Sequence, residues 1–282
     1  MLRAGAKAAS RPGGVWTSPD LAFGINSALA FASAELLTAA LHETGHGLAA
    51  QALGFSPRIY AFFVNNPDGT TTQSLIILAS GPLASLVLGA LFLALFWKQK
   101  PHYRFGRLLL FWLAWLGILE FVNYLIVTPW LSAGDTARIA DLLGWAVLPR
   151  YAFAAIGVAF VVLLARPAAV SMCATAPATF ALDLPAARRR FIFRAFYLPL
   201  FAGTVLTAFG GLGGQSWAVA LGLFGTLGNS DLIGFAFRAS RGPIVFRERA
   251  EDARLRVEPL GVALYLAIVL GYVAVLSRGV RV

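Results

Sequence analysis

Long apolar runs, separated by short segments rich in arginine, proline and glycine, set the pattern of this chain. Seven of the runs are long enough, or nearly so, to cross a hydrocarbon core of roughly 30 Å as helices. The predicted spans are approximately 21–53, 74–97, 106–128, 150–166, 194–210, 215–237 and 259–277. The pattern therefore predicts an all-α polytopic membrane protein with about seven transmembrane helices.

Between the first two runs, the pattern changes to that of a small β-hairpin. Residues 58–64 are rich in β-branched and aromatic side chains, residues 65–69 have turn composition, and Thr70–Thr72 are predicted to begin the return strand. The edge of such a hairpin would accept an unwound peptide as an added strand. An ordinary surface turn explains the same pattern equally well.

Composition excludes two broad classes of protein. With 59% hydrophobic and 13% charged residues, and a mean hydropathy of +0.74, the chain is not an ordinary soluble domain. Its net charge of +10 comes from short basic patches between apolar runs, which indicates membrane-protein loops rather than a nucleic-acid surface. We therefore expect a lipid bilayer, and no nucleic acid, among its partners.

The distribution of lysine and arginine predicts the orientation. If seven spans cross the membrane and the N-terminus lies inside, 18 of the 23 basic residues fall on the inner side. The positive-inside rule then places the N-terminus in the cytoplasm and the C-terminus outside.

The most specific pattern is His42-Glu43-Thr44-Gly45-His46, near the end of the first span. On a helix the two histidines lie one turn apart and about 40° apart around the axis, so both imidazoles can bind one zinc ion. Glu43 points about 60° to the side of His46, close enough to deprotonate a water molecule at the metal. The spacing predicts a Zn²⁺ site with Glu43 as the catalytic base.

A third ligand must reach the depth of the histidines. His42 lies roughly 32 Å along a span that runs outward, and Asp135 follows another outward span, so both emerge on the same side. Glu120 lies about 20 Å along its span, more than two helical turns shallower, and Asp231 lies near the cytoplasmic side. Asp135 is therefore the best candidate, whereas Glu35 and Glu120 are predicted to be buried carboxyls that serve as polar contacts or support the site.

Residues 30–145 resemble the site-2 protease family of intramembrane zinc metalloproteases, particularly its compact bacterial branch. The resemblance lies in the histidine motif, in Asn66–Gly69, in Gly81–Ala84 and in the stretch from Asn123 to Asp135. The family's usual pattern in this last stretch is Asn-x-x-Pro followed by Asp-Gly, whereas here the proline is six residues beyond the asparagine and the glycine precedes the aspartate.

The resemblance implies roles for five residues. His42, His46 and Asp135 would bind zinc, Glu43 would be the catalytic base, and Asn123 would lie near the substrate. It also implies a bacterial inner-membrane location and a cleavage site near the cytoplasmic face, whereas the charge distribution places the metal toward the outer face.

The favoured hypothesis is an intramembrane zinc metalloprotease that hydrolyses peptide bonds in or next to transmembrane segments of membrane-protein substrates. Residues 1–20 would form a basic tail, 21–145 the metalloprotease-like core, and 146–282 accessory transmembrane helices. One alternative is a catalytically inactive scaffold or assembly factor with the same fold. A third hypothesis is a proton-coupled transporter that uses Glu35 and Glu120.

Overall fold

The computed structural model describes residues 18–65, 69–99, 105–132, 134–211, 228–244 and 255–282. Within these ranges, six helices are long and apolar enough to cross a membrane: Asp20–Ala52, Thr71–Lys98, Phe105–Val127, Val147–Ala174, Pro185–Phe209 and Pro259–Arg278. They match six of the seven predicted spans, which confirms the all-α polytopic membrane fold. The predicted span 215–237 lies outside the described residues as far as residue 227.

The elements run in the following order. They are α1 (Ser18–Ala52), β1 (Arg58–Ile59), β2 (Val64–Asn65), α2 (Thr71–Lys98), α3 (Phe105–Val127), α4 (Asp135–Leu142), α5 (Val147–Ala174), α6 (Pro185–Ile192), a π-helical turn (Phe193–Tyr197), α7 (Leu198–Gly210), α8 (Ser230–Ala239), α9 (Pro259–Ala274), a 3-10 turn (Leu276–Arg278) and β3 (Val280–Arg281).

Helix α1 is the centre of the bundle and packs against α2, α3, α7 and α9. Its middle turns carry small side chains, including the fully buried Ala30, Ala32 and Ala34, which let neighbouring helices approach closely. Outer helices such as α5 and α9 instead expose large apolar side chains, among them Leu163 and Leu266, which suits contact with lipid. The middle turns of α1 are therefore shielded from both water and lipid.

Helix α9 runs in the same direction as α1. Near its start, the Asn26 side chain accepts a hydrogen bond from the backbone N–H of Glu258 at 2.9 Å. Near its end, the Tyr272 hydroxyl donates to the Leu36 carbonyl, ten residues further along α1. The two helices are therefore parallel over at least this length.

Helix α7 also runs parallel to α1. Arg194, just before it, lies 3.5 Å from Asp20 at the start of α1, and Gly203 packs against Phe31 further along. Helix α8 runs in the opposite direction, since Asn229 before it contacts Asn123 of α3 and Ser240 after it contacts Arg188 of α6.

The predicted hairpin is present, but its predicted turn is wrong. Tyr60 and Phe63 close the turn through a 2.9 Å backbone hydrogen bond, and β1 pairs with β2. Thr70 does not begin a strand, because its hydroxyl caps α2 by accepting from the N–H of Gln73 at 3.3 Å while the Gln73 side chain accepts from the N–H of Thr70 at 2.9 Å. This capping box is a helix-start signal that outweighs the β propensity of threonine. Residues 66–68 lie outside the described part of the chain.

A third strand completes the sheet. The C-terminal strand β3 pairs with the free edge of β1, with Arg58 opposite Arg281 and Ile59 opposite Val280. The strand order is β2-β1-β3, so β1 lies in the middle. This edge of β1, where an unwound peptide could have added to the predicted hairpin, is thus occupied by β3.

Candidate metal centre

The two motif histidines face each other on the buried side of α1. Their Nε2 atoms are 3.0 Å apart, as the four-residue spacing predicts, and His42 and His46 expose only 2% and 6% of their surface. Nδ1 of His46 donates to the Ile77 carbonyl of α2 at 2.6 Å, because a carbonyl oxygen can only accept. When neutral, the His46 ring therefore directs an unprotonated Nε2 into the site.

Asp135, the first residue of α4, reaches the same point. Its Oδ2 lies 3.0 Å from Nε2 of His42 and 3.2 Å from Nε2 of His46. The next residue, Thr136, donates to the Tyr124 carbonyl at 2.6 Å and accepts a hydrogen bond from Thr128 at 2.8 Å, which ties the start of α4 to the end of α3.

Asp135 lies outside the candidate spans but is largely buried, with 15% of its side chain exposed. Burial alone would raise the pKa of Asp135, but its hydrogen bonds with His42 and His46, and their charge, lower that pKa well below its ordinary value. The carboxylate therefore remains ionised and available as an anionic ligand.

The second ring nitrogen of His42, Nδ1, contacts the side chains of Glu120 and Ser85. Nδ1 lies 3.3 Å from Oε1 of Glu120 and 3.3 Å from Oγ of Ser85. Ser85 uses its own proton to donate to Oε2 of Glu120 at 2.7 Å, so both neighbours of Nδ1 are acceptors. The His42 ring consequently carries its proton on Nδ1 and, when neutral, turns a second unprotonated Nε2 toward Asp135.

Three electron-pair donors therefore meet at one point. Nε2 of His42, Nε2 of His46 and Oδ2 of Asp135 lie 3.0 to 3.2 Å from one another, and with neutral rings none of them has a proton to share. Such a cluster is repulsive unless a proton on a ring nitrogen or a metal ion lies among its atoms. A tetrahedral ion with bonds of about 2.0–2.1 Å separates its ligands by about 3.3–3.4 Å, so the three residues fit a metal ion with little adjustment.

A glycine makes room for this cluster. A Cβ atom at Gly81 would lie 2.3 Å from Nε2 of His46 and 2.8 Å from Nε2 of His42, distances that no side chain tolerates. Gly45 allows the same approach from α1, because a Cβ there would lie 2.9 Å from the carbonyl oxygen of Ser80. The backbone of α2 thus forms one wall of the site.

The prediction that Glu120 lies at a different depth from His42 is wrong, since the two side chains are in contact. The predicted depths assumed that both helices begin at the same level in the membrane, but α1 begins further from the site than α3 does. Trp112, seven residues into α3, packs against Phe31, thirteen residues into α1. The long side chains cover the remaining distance.

Two neighbouring residues of α3 have different surroundings. The ring of Tyr124 stacks on His42 with 5.3 Å between centroids, and its hydroxyl lies 3.5 Å from Nε2 of His42. Sequence reasoning missed this residue, although it precedes Asp135 by only eleven residues. Asn123 instead donates to the Asn229 side chain of α8 at 3.0 Å, so its predicted contact with a substrate stays a prediction.

Glu43 is buried beside the metal-binding residues, with 9% of its surface exposed. Its carboxyl group interacts electrostatically with His42, His46 and Asp135. Its role as the catalytic base stays a prediction.

The sheet lies next to the site. The Ile59 side chain of β1 packs against Gly47, the residue after His46, where a Cβ would lie 2.6 Å from Cδ1 of Ile59. Any peptide paired with this sheet would run close to the metal-binding residues.

Comparisons with protein-family models, with curated proteins and with solved structures found no match for this chain. The functional interpretation therefore depends on the geometry described above, and the site-2 protease resemblance stays a prediction from motifs.

Replacing Gly81 with alanine should abolish tight zinc binding, because the new methyl group would displace both imidazoles. We expect the affinity, measured by competition with a chromophoric chelator, to fall by at least about tenfold. Gly271→Ala on α9 is the matched control, since a Cβ there meets nothing within 4 Å. Equal affinities in the two variants would contradict this account of the site wall.

Replacing Glu120 with glutamine should weaken zinc binding by about tenfold, because the carboxylate that orients Nδ1 of His42 is lost. Asp231→Asn in α8 removes a half-buried carboxylate elsewhere and should leave the affinity unchanged. Chelator competition and helical circular dichroism together distinguish a lost ligand orientation from a lost fold. An unchanged zinc affinity in Glu120→Gln would remove Glu120 from the site.

Proposed function

We propose that this protein is a zinc-dependent intramembrane peptidase, which hydrolyses peptide bonds in or next to transmembrane segments of other membrane proteins. One observation carries the proposal: the donor atoms of His42, His46 and Asp135 converge at 3.0 to 3.2 Å inside an apolar helical bundle, with Glu43 buried beside them. Three protein ligands plus an adjacent carboxylate are the arrangement that metal-assisted hydrolysis uses.

The chemistry of the donors favours zinc. Two imidazole nitrogens and one carboxylate oxygen suit this ion, and a set of three protein ligands leaves a fourth position open for a reactant. Zinc, when bound, would supply Lewis acidity, which polarises a peptide carbonyl and makes a water molecule acidic.

The remaining steps belong to side chains of the protein. Glu43 accepts a proton from the attacking water and delivers it to the nitrogen of the leaving amine. The Tyr124 hydroxyl, next to His42, offers a hydrogen bond to the carbonyl oxygen as negative charge develops on it. Glu120 and Ser85 keep His42 in the required tautomer throughout.

The substrate must present an unwound segment, because a helix hides its own carbonyl groups. The sheet beside Gly47 offers backbone groups to such a segment, as in other proteins that bind peptides by strand addition. Its central strand β1 is already paired with β3, and this pairing places Arg58 directly opposite Arg281. Like charges facing each other weaken a strand pair, so a two-residue β3 can be displaced by an incoming peptide.

The test uses purified protein in detergent and a fluorescently labelled single-span peptide with a central Gly-Pro pair. We expect about one zinc ion per chain, together with zinc-dependent cleavage near the Gly-Pro pair and none in an all-leucine peptide that stays helical. Zinc without cleavage of any unwound peptide would favour an inactive scaffold. Absence of zinc after gentle purification would overturn the proposed function.

Replacing Glu43 with glutamine should retain zinc but slow cleavage by about 10²–10⁴-fold, because the base is lost while the metal ligands stay. Glu35→Gln is the control, since it removes a carboxyl two turns earlier on α1. If the protein were a proton-coupled transporter, Glu35→Gln would impair its function more than Glu43→Gln. Cleavage at the wild-type rate in Glu43→Gln would end the proposed mechanism.

Deleting residues 279–282 should raise kcat/KM for the unwound peptide severalfold, because the edge of β1 becomes available. Conversely, a disulfide between Arg58→Cys and Arg281→Cys should lower kcat/KM until it is reduced, in a background with Cys173→Ser. If neither change alters the rate, the substrate does not pair with β1.

A further inference from the structure

Two adjoining cavities lie at the end of the bundle where α1 begins. Asp20 is close to Arg194 there, and His42 lies 22 residues later along α1, which corresponds to roughly 33 Å. The larger cavity measures about 310 Å³ and is lined by Ala186, Arg189, Arg190, Phe193, Arg194 and Phe237. The smaller cavity, about 160 Å³, shares Arg190 and Arg194 with it and reaches Asp20 and Phe23. This end is therefore separate from the metal centre.

The arginines at these cavities differ in how their charge is used. Arg188 points away and donates to four backbone carbonyls, those of Leu182, Asp183, Ser240 and Gly242, so its role is structural. Arg189 lines the larger cavity, and its Nε is buried without a hydrogen-bond partner in the described part of the chain. A buried donor of this kind is costly unless a ligand accepts a hydrogen bond from it.

The charge at the larger cavity is strongly positive. Three arginines line it, and Asp20 is close to one of them, Arg194. Guanidinium groups form paired hydrogen bonds with phosphate oxygens, so the cavity is suited to a phosphate group. Its volume is several times that of a water molecule, about 30 Å³ in the liquid, and so admits a phosphate ester.

An apolar stripe leads away from the cavity along one helix face. Phe193, Tyr197 and Phe201 follow each other at four-residue spacing, with ring centroids 5.6 Å and 5.2 Å apart. Phe193 and Phe201 expose 43% and 42% of their surface, on a helix long and apolar enough to span the membrane. A free phosphate would make no contact with this stripe, whereas the acyl chain of a lipid would pack against it.

We propose that this end of the bundle binds one anionic phospholipid. Its phosphate lies against Arg189 and Arg190, and an acyl chain follows the stripe Phe193–Tyr197–Phe201. Basic pockets between transmembrane helices on the cytoplasmic side recognise lipids of this kind, and the charge distribution places this end inside. The proposal does not depend on the peptidase function.

The test measures lipid binding to delipidated full-length protein in detergent by native mass spectrometry. We expect phosphatidylglycerol to bind at least about tenfold more tightly than phosphatidylcholine, and Arg189→Gln/Arg190→Gln to lose that preference. Arg238→Gln/Arg241→Gln is the matched control, because both arginines are exposed at the same end and line neither cavity. An unchanged preference in the first double variant would overturn the proposal.

A second measurement keeps the proposal testable if the arginine variant fails to fold. Phosphatidylglycerol with a photoreactive acyl chain should label wild-type protein within residues 193–201, as mapped by peptide mass spectrometry. Labelling spread evenly over the exposed faces of α5 and α9 would contradict the assigned path. Competition by millimolar inorganic phosphate as effective as that by lipid would show a phosphate site without lipid recognition and would also overturn the proposal.

Discussion

The convergence of two imidazole nitrogens and one carboxylate oxygen at a buried point is the interaction on which the rest of this structure depends. Nδ1–H of His46 donates a hydrogen bond to the Ile77 carbonyl and Nδ1–H of His42 faces Glu120, so that both Nε2 atoms are directed at the carboxylate of Asp135. In an apolar bundle such an arrangement is stable only with a positive charge among the donors, carried by a protonated ring or by a metal ion, because water cannot screen their repulsion. The three residues could therefore hold a metal ion.

Close helix packing makes this convergence possible. The backbones of α1 and α2 meet at Gly45 and Gly81, while α2 and α3 meet at Gly89 and Gly117, where an added Cβ would lie 2.7 Å from backbone atoms. Helices of a membrane bundle gain little from hydrophobic contact with each other, so small residues and buried hydrogen bonds hold them together. The same close approach brings the acceptor oxygens of the neighbouring helices within reach of the histidine rings.

The two ends of the bundle carry different chemistry. The end with the metal-binding residues is covered by a sheet built from both the early chain and the C-terminus. The other end carries the arginine-lined cavities and an apolar stripe that faces lipid. A peptide and a lipid would therefore meet the protein at opposite ends.

Periodicity within single helices was enough to predict the six described transmembrane helices, the facing pair His42 and His46, and Glu43 beside them. The order of the spans also pointed to Asp135, because that residue follows an outward span. The contacts of Glu120 and Tyr124 with His42 could not be predicted in this way, since they depend on where separate helices begin relative to one another. Likewise, the pairing of β3 with β1 joins segments more than 200 residues apart, and no local pattern encodes such a contact.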